Sequence, residues 1–307
     1  MNAKRITALA LALVMTLLLA ACGSKTVVND DGTKTEQTER GVKVTQTAAK
    51  AVQTEKYETA DFSITIPKGW TVTSGGTNIY HSIRVYDPAE PLNQMFVLLK
   101  ADVLLHSQAG KEAWQQNYSM GNTQAALFTK AAVLDNPSTE GFFKIFSQYT
   151  AFASEVEPAY SGYAFPRFDN FTVTDRYPSA SPMKSSALGD EQLRATFTDN
   201  GKEGEGLFAA SVVDFGSFAI SNGNVVGYQL QAVDGGYYMA YNIVAVTAAK
   251  DAFIEWEGVL TDCFKTLQYS DSFVSATNQA SNEKVALAQQ ISQNFNATMD
   301  GLCPPGK

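Results

Sequence analysis

The chain has 307 residues, a formal net charge of −8, two histidines and three cysteines. That acidity excludes nucleic acid, whose phosphates need a basic footprint, and equally excludes electrostatic adhesion to an anionic bilayer. With 13 Tyr, 18 Phe and 3 Trp the chain can fill a sizeable core, while two histidines and scattered cysteines do not make a four-ligand zinc site, so neither metal nor cofactor is expected.

In chain order, Lys4 and Arg5 give a positive start, Ile6 to Leu18 an apolar run, and Leu19-Ala20-Ala21-Cys22 closes it. This is the layout of a secretory signal, and the apolar run is too short to span a bilayer before polar residues resume. The four closing residues resemble the bacterial lipoprotein signal. The resemblance implies that residues 1–21 are removed and that the Cys22 thiol carries diacylglycerol, anchoring the protein to the membrane. The expected location is extracytoplasmic, and Gly23, in place of the aspartate linked to inner-membrane retention, implies the outer membrane where the envelope has two. Residues 22–58 are rich in Thr, Lys, Gln, Glu, Asp and Asn and predict a flexible tether, with a reach of roughly 30–35 Å.

A single α+β domain is expected over 59–275. Phe62-Ser63-Ile64-Thr65-Ile66 alternates apolar and polar residues, which predicts a half-buried strand, and Pro67-Lys68-Gly69-Trp70 predicts a turn whose Trp70 covers a sheet edge or core end. Asn78 to Tyr86 alternates again, with Ile79, His81, Ile83 and Val85 on one face, and Met95 to Leu105 is apolar enough for a buried strand. The period then changes. Gly110 to Tyr118 and Thr123 to Leu134 predict helices, the second capped by Asn122 and stopped before Pro137. Ser138 predicts the cap of a third, carrying Phe142, Phe146, Tyr149 and Ala153, so that 107–157 forms a helical insertion; Gly162 to Phe168 is loop.

Strand signals return from Phe171. Leu193 to Thr198 and Gly206 to Asp214 flank Asp199-Asn200-Gly201, and Val225 to Val233 and Tyr237 to Val246 flank Asp234-Gly235-Gly236, which predicts two hairpins. Thr247 is expected to cap an amphipathic helix whose Phe253, Trp256, Leu260, Cys263, Phe264 and Leu267 fall on one face across the sheet. A last helix, Asn282 to Met299, belongs to a C-terminal segment 276–307. Together these elements predict an α+β domain with a largely antiparallel sheet flanked by helices. Its ends, Phe62 to Trp70 and then Tyr241-Asn242-Ile243-Val244-Ala245-Val246 with the helix reaching Phe264-Lys265-Thr266-Leu267, are similar to those of PsbP-like domains. That resemblance implies an antiparallel sheet with flanking helices, in a family with many secreted bacterial lipoproteins; residues 107–168 depart from its pattern.

Catalytic constellations are sparse. His81 shares a face with apolar neighbours and reads as a hydrogen-bonded core or edge histidine, and His106 reads as loop surface at a strand end. Neither is joined in sequence to a nucleophile, and no Gly-x-Ser-x-Gly elbow occurs. Scattered acids such as Asp190, Glu191, Glu203 and Glu205 offer carboxylate pairs only as any acidic chain does, and Gly201 to Gly206 fits a solvated hairpin tip better than a phosphate loop. Cys263 and Cys303 can pair in an oxidising compartment, with Cys263 as a buried free thiol the alternative. The aromatic cluster Tyr160, Tyr163, Phe165, Phe168 and Phe171, extended by Tyr237 and Tyr238, is the candidate partner-binding patch, with burial against the sheet as its other reading. The expected function is a non-catalytic, lipid-anchored extracytoplasmic protein that binds a protein or envelope partner. Two alternatives are an envelope hydrolase with an acid/base pair not evident in sequence and a lipoprotein that binds a small ligand.

Overall fold

A computed structural model describes residues 25–28, 33–38, 41–46, 50–178, 183, 185–226 and 229–280. The signal, Cys22, the Asn282 to Met299 helix and Cys303 lie outside the described residues. The architecture is α+β, with a large antiparallel sheet flanked by helices, as the alternation of periods predicted.

The segment expected as a featureless tether contains strands. β1 (Lys25–Val28), β2 (Thr33–Thr38) and β3 (Gly41–Gln46) pair as an antiparallel meander, consistent with the β-branched Thr and Val that punctuate a polar composition. β4 (Thr54–Glu58) pairs with β5 (Phe62–Pro67), so the domain begins before residue 59. Tyr57 meets the Phe62 ring at 6.0 Å, and Glu55 accepts a hydrogen bond from the Gly69 N–H at 2.9 Å. Composition conceals this strand because four of its five side chains are exposed.

The main sheet takes its strands in the order β10 (Asp169–Pro178), β11 (Gly189–Asp199), β12 (Lys202–Gly216), β15 (Tyr237–Ala249), β8 (Gln94–Leu105), β7 (Ser82–Tyr86) and β6 (Thr71–Gly75). Those pairings are antiparallel; β9 (Ala132–Val133) adds in parallel beside Leu104 and Leu105 of β8. Helices α1 (Gln108–Ser119), α2 (Ala126–Lys130), α3 (Thr139–Lys144) and α4 (Phe146–Val156) come from the insertion; α5 (Phe253–Phe264) and a helix over 271–280 follow the last long strand. On β11, Phe197 meets Phe168 and Phe208, and Phe208 meets Phe143 of α3. Arg194, three residues before Phe197 on β11, turns the other way, lies over Phe253 at 5.1 Å and reaches Glu257 of α5. α3 and α5 therefore cover opposite faces. The short sheet β16 (Gln268–Tyr269), β5 and β4 joins α5, where Trp70 packs on Trp256 at 5.2 Å.

Four local expectations change. β7 starts only at Ser82, because Asn78–Tyr80 forms a 3₁₀ turn entered with Asn78 at φ +52°, and Ile79 and Tyr80 are both buried. The helix capped by Asn122 stops at Lys130, since residues 132 and 133 are recruited to the sheet as β9. Thr247 lies within β15 and donates its hydroxyl to the Leu92 carbonyl at 2.7 Å, so it does not cap α5, whose start carries no side-chain cap. Finally, Val225 to Val233 is not one strand facing β15. β13 (Ala219–Val226) and β14 (Gln229–Asp234) pair with each other as a ribbon, and Asp234-Gly235-Gly236 leads from that ribbon into the main sheet.

Candidate partner-binding site

The aromatic loop predicted as the patch is largely interior. Tyr160, Phe168 and Phe171 are buried; Phe168 and Phe171 pack on Phe143 and Phe208, and the Tyr160 hydroxyl donates to the Tyr80 carbonyl. Phe165 and Tyr163 are half-buried: Phe165 sets its edge against Tyr163 and Tyr160, and the Tyr163 hydroxyl lies 3.0 Å from Ser82 Oγ. Burial pushes the Tyr160 and Tyr163 phenols up. The loop packs against the end of β6: the Gly76 N–H donates to the Ala159 carbonyl at 3.3 Å, and the Tyr163 ring lies against Gly75. A shallow groove of about 400 Å³ remains between Thr73 and Ser74 on one side and Ser161, Tyr163 and Ala164 on the other.

Tyr237 and Tyr238 lie elsewhere, and no ring contact among the described residues joins them to that loop. They open β15 where it leaves the ribbon, and as consecutive strand residues they address opposite faces. On one face Tyr237 stacks on Phe215, centroids 4.5 Å apart and planes 11° from parallel, and Phe215 is 48% exposed. Behind that pair Tyr237 meets Phe128 at 6.0 Å with the planes tilted 55°, and Phe128 lies flat on Trp114 at 4.2 Å. Trp114 donates its indole N–H to the Gly235 carbonyl at 3.0 Å, which ties α1 to the ribbon junction.

On the other face Tyr238 lies 4.0 Å from the ring of His106. His106 follows β8 and was expected on loop surface, yet its side chain is only 8% exposed. Two carboxylates hold it: Nδ1 is 2.7 Å from Asp234 Oδ2 and Nε2 is 3.1 Å from Asp214 Oδ1. Each aspartate also accepts the N–H two residues ahead, from Gly216 and Gly236, at 2.8 Å. A side chain at Gly236 would collide with the Gly216 carbonyl and with His106, so glycine is required there. Burial alone would raise the Asp234 carboxyl, but hydrogen bonds from His106, the Gly236 N–H and Ser217 hold it below the usual range. Tyr238 is pushed up by burial and by the two neighbouring carboxylates.

Beneath this end of the sheet Lys100 Nζ sits 2.5 Å from Asp102 Oδ2, which also accepts the Tyr80 hydroxyl at 3.1 Å. Burial opposes the charge on Lys100, yet Asp102 keeps its ammonium well above the ordinary value. Cys263 is a free thiol, buried in α5, and burial raises it to about 11.

Sequence reasoning named Tyr237 and Tyr238 but not their neighbours Phe215, Asp214 and Asp234. The available signal was the repeated Asp-x-Gly, in Asp214-Phe215-Gly216 and Asp234-Gly235-Gly236; what unites them is the register that sets Asp214 opposite Tyr238. Among the described residues no group of three or more His, Cys, Asp or Glu is placed to hold a metal ion, and no helix is long and apolar enough to cross a membrane. No protein-family model matches the chain, and no characterised protein matches it in sequence.

Proposed function

We propose that the chain is a non-catalytic, lipid-anchored extracytoplasmic protein, its domain PsbP-like, that binds a protein or cell-envelope partner through the exposed end of its main sheet. The observation that carries this reading is Phe215, half open to solvent yet stacked in parallel on Tyr237 and backed by Phe128 and Trp114. A rigid aromatic platform of this kind supplies contact area at low entropic cost, as interface anchors do. Binding is favoured over hydrolysis because both nitrogens of His106 are turned to carboxylates, and the nearby Ser217 hydroxyl bonds Asp234 at 3.2 Å and not the imidazole. The anchoring half of the reading rests on Leu19-Ala20-Ala21-Cys22.

Fractionation of producing cells tests both halves. Cys22→Ala is expected to move the protein out of the membrane fraction, and Phe215→Ala to leave it there while releasing whatever co-purifies with it. Membrane retention without Cys22, or a co-purifying set unchanged by Phe215→Ala, contradicts the corresponding half.

A further inference from the structure

Resting on that reading, the partner's chemistry follows from what surrounds Phe215. We infer that the end of β12 and β15 docks a cationic segment of a partner protein, which lays a side chain on Phe215 and places a basic group on the Asp214 carboxylate.

Asp214 and Phe215 are consecutive at the end of β12, so carboxylate and ring stand on either side of the strand terminus, and a segment crossing that terminus meets both. The Asp214 and Asp234 side chains remain 46% and 40% exposed, and among the described residues their ion-pair partner is His106 alone. Two carboxylates share one imidazole, so the cluster keeps at least one negative charge whatever the histidine's protonation state. Its hydrogen bonds are unevenly distributed. Asp214 Oδ1 takes both the His106 ring nitrogen and the Gly216 N–H, which leaves Oδ2 without a hydrogen-bond partner among the described residues in a side chain that is 46% exposed. Asp234, by contrast, uses both oxygens, one on Gly236 and one on His106 and Ser217. One carboxylate oxygen is thus a free acceptor across the strand terminus from an exposed aromatic ring, and a segment rich in guanidinium or ammonium groups is attracted by each. The chain's net charge of −8 adds a long-range field of the same sign, which steers cations in and repels an anionic lipid surface.

The test uses the full-length protein in detergent and fluorescently labelled hexa-arginine, with hexa-glutamate as the opposite charge, followed by fluorescence polarisation. The expected result is hexa-arginine binding that weakens about tenfold in Phe215→Ala and in Asp214→Asn, and that falls as salt rises from about 50 to about 300 mM. Ile254→Ala, which removes an exposed apolar side chain of α5 beyond the opposite end of β15, is expected to leave it unchanged. Thermal melts of each variant separate lost binding from lost folding, and Phe215→Leu, which keeps apolar bulk without the ring, is expected to weaken binding while melting as the parent does. Equal binding of both peptides, or hexa-arginine binding indifferent to Phe215→Ala, Phe215→Leu and Asp214→Asn, overturns the inference. So does preferential binding to phosphatidylglycerol vesicles that Phe215→Ala abolishes, which would make the surface a lipid contact. If a partner is captured in cells and lost in Phe215→Ala while hexa-arginine does not bind, the charge inference fails and the partner-binding reading stands. Hexa-arginine binding with no captured partner supports the charge inference and counts against the reading beneath it.

Discussion

His81 sits among the rings of Phe62, Tyr269 and Phe273, at centroid distances of 5.7, 5.7 and 5.1 Å, and burial lowers its imidazole to about 4. The unfolded chain titrates the same group near ~6.5, so between about 4 and 6.5 the unfolded state binds the extra proton. Stability is then fully present above about 6.5 and is lost as pH falls towards 4, by up to about 3 kcal/mol. Urea melts of wild type and His81→Phe across that window are expected to show the slope in the first and a shallower one in the second. The Lys100–Asp102 pair makes a separate prediction. Asp102→Ala leaves a mostly buried ammonium without its counter-charge and is expected to cost about 3–5 kcal/mol, whereas exchanging both residues for apolar ones costs far less. Cys263, buried and with its thiol near 11, is expected to resist iodoacetamide at pH 8 until the chain unfolds. Rapid alkylation of the Cys263 peptide in native protein, read by mass spectrometry, would contradict that placement.

Elements reveal where sequence patterns suffice. The Asn200-Gly201 hairpin is legible because those residues are the ones that accept left-handed backbone, and both do so, at φ +49° and +81°. Gly201→Ala is therefore expected to cost about 1 kcal/mol in a thermal or urea melt although the added methyl group meets open space. The apolar face of α5 was equally legible, since Phe253, Trp256, Leu260, Cys263 and Phe264 all come out buried at helical spacing. What failed was tertiary recruitment. Thr247 has cap chemistry but continues β15 to reach the Leu92 carbonyl, and residues 132 and 133 leave a helical pattern to pair with β8. Ring exposure was illegible for a related reason. Tyr160, Phe168 and Phe215 are all aromatic residues in or beside loops, and only the packing of α3, α4 and β6 decides that the first two are interior and the third is not. Phe143, fully buried between Phe171 and Phe208, anchors that packing, and Phe143→Ala is expected to cost about 3–5 kcal/mol.

At the scale of the molecule, the aromatic loop packed on one side of the main sheet contrasts with a more open end at β12 and β15. The Pro158–Tyr160 turn and the loop after it pack against the end of β6, while the end of β12 and β15 keeps a stacked ring, a free carboxylate oxygen and the ribbon junction. Strands β1 to β3 lie in sequence between Cys22, where the lipid anchor is expected, and the domain. The central claim is that this end of the sheet holds a partner. It is tested most directly by cross-linking the lipidated protein in intact cells that naturally produce it and identifying the captured species by mass spectrometry, with Phe215→Ala and Tyr163→Ala in parallel. One reproducible partner, lost in Phe215→Ala and retained in Tyr163→Ala, is the predicted result. No partner above background, or one lost only with Tyr163→Ala, would contradict the claim and return the site to the aromatic loop or remove it altogether.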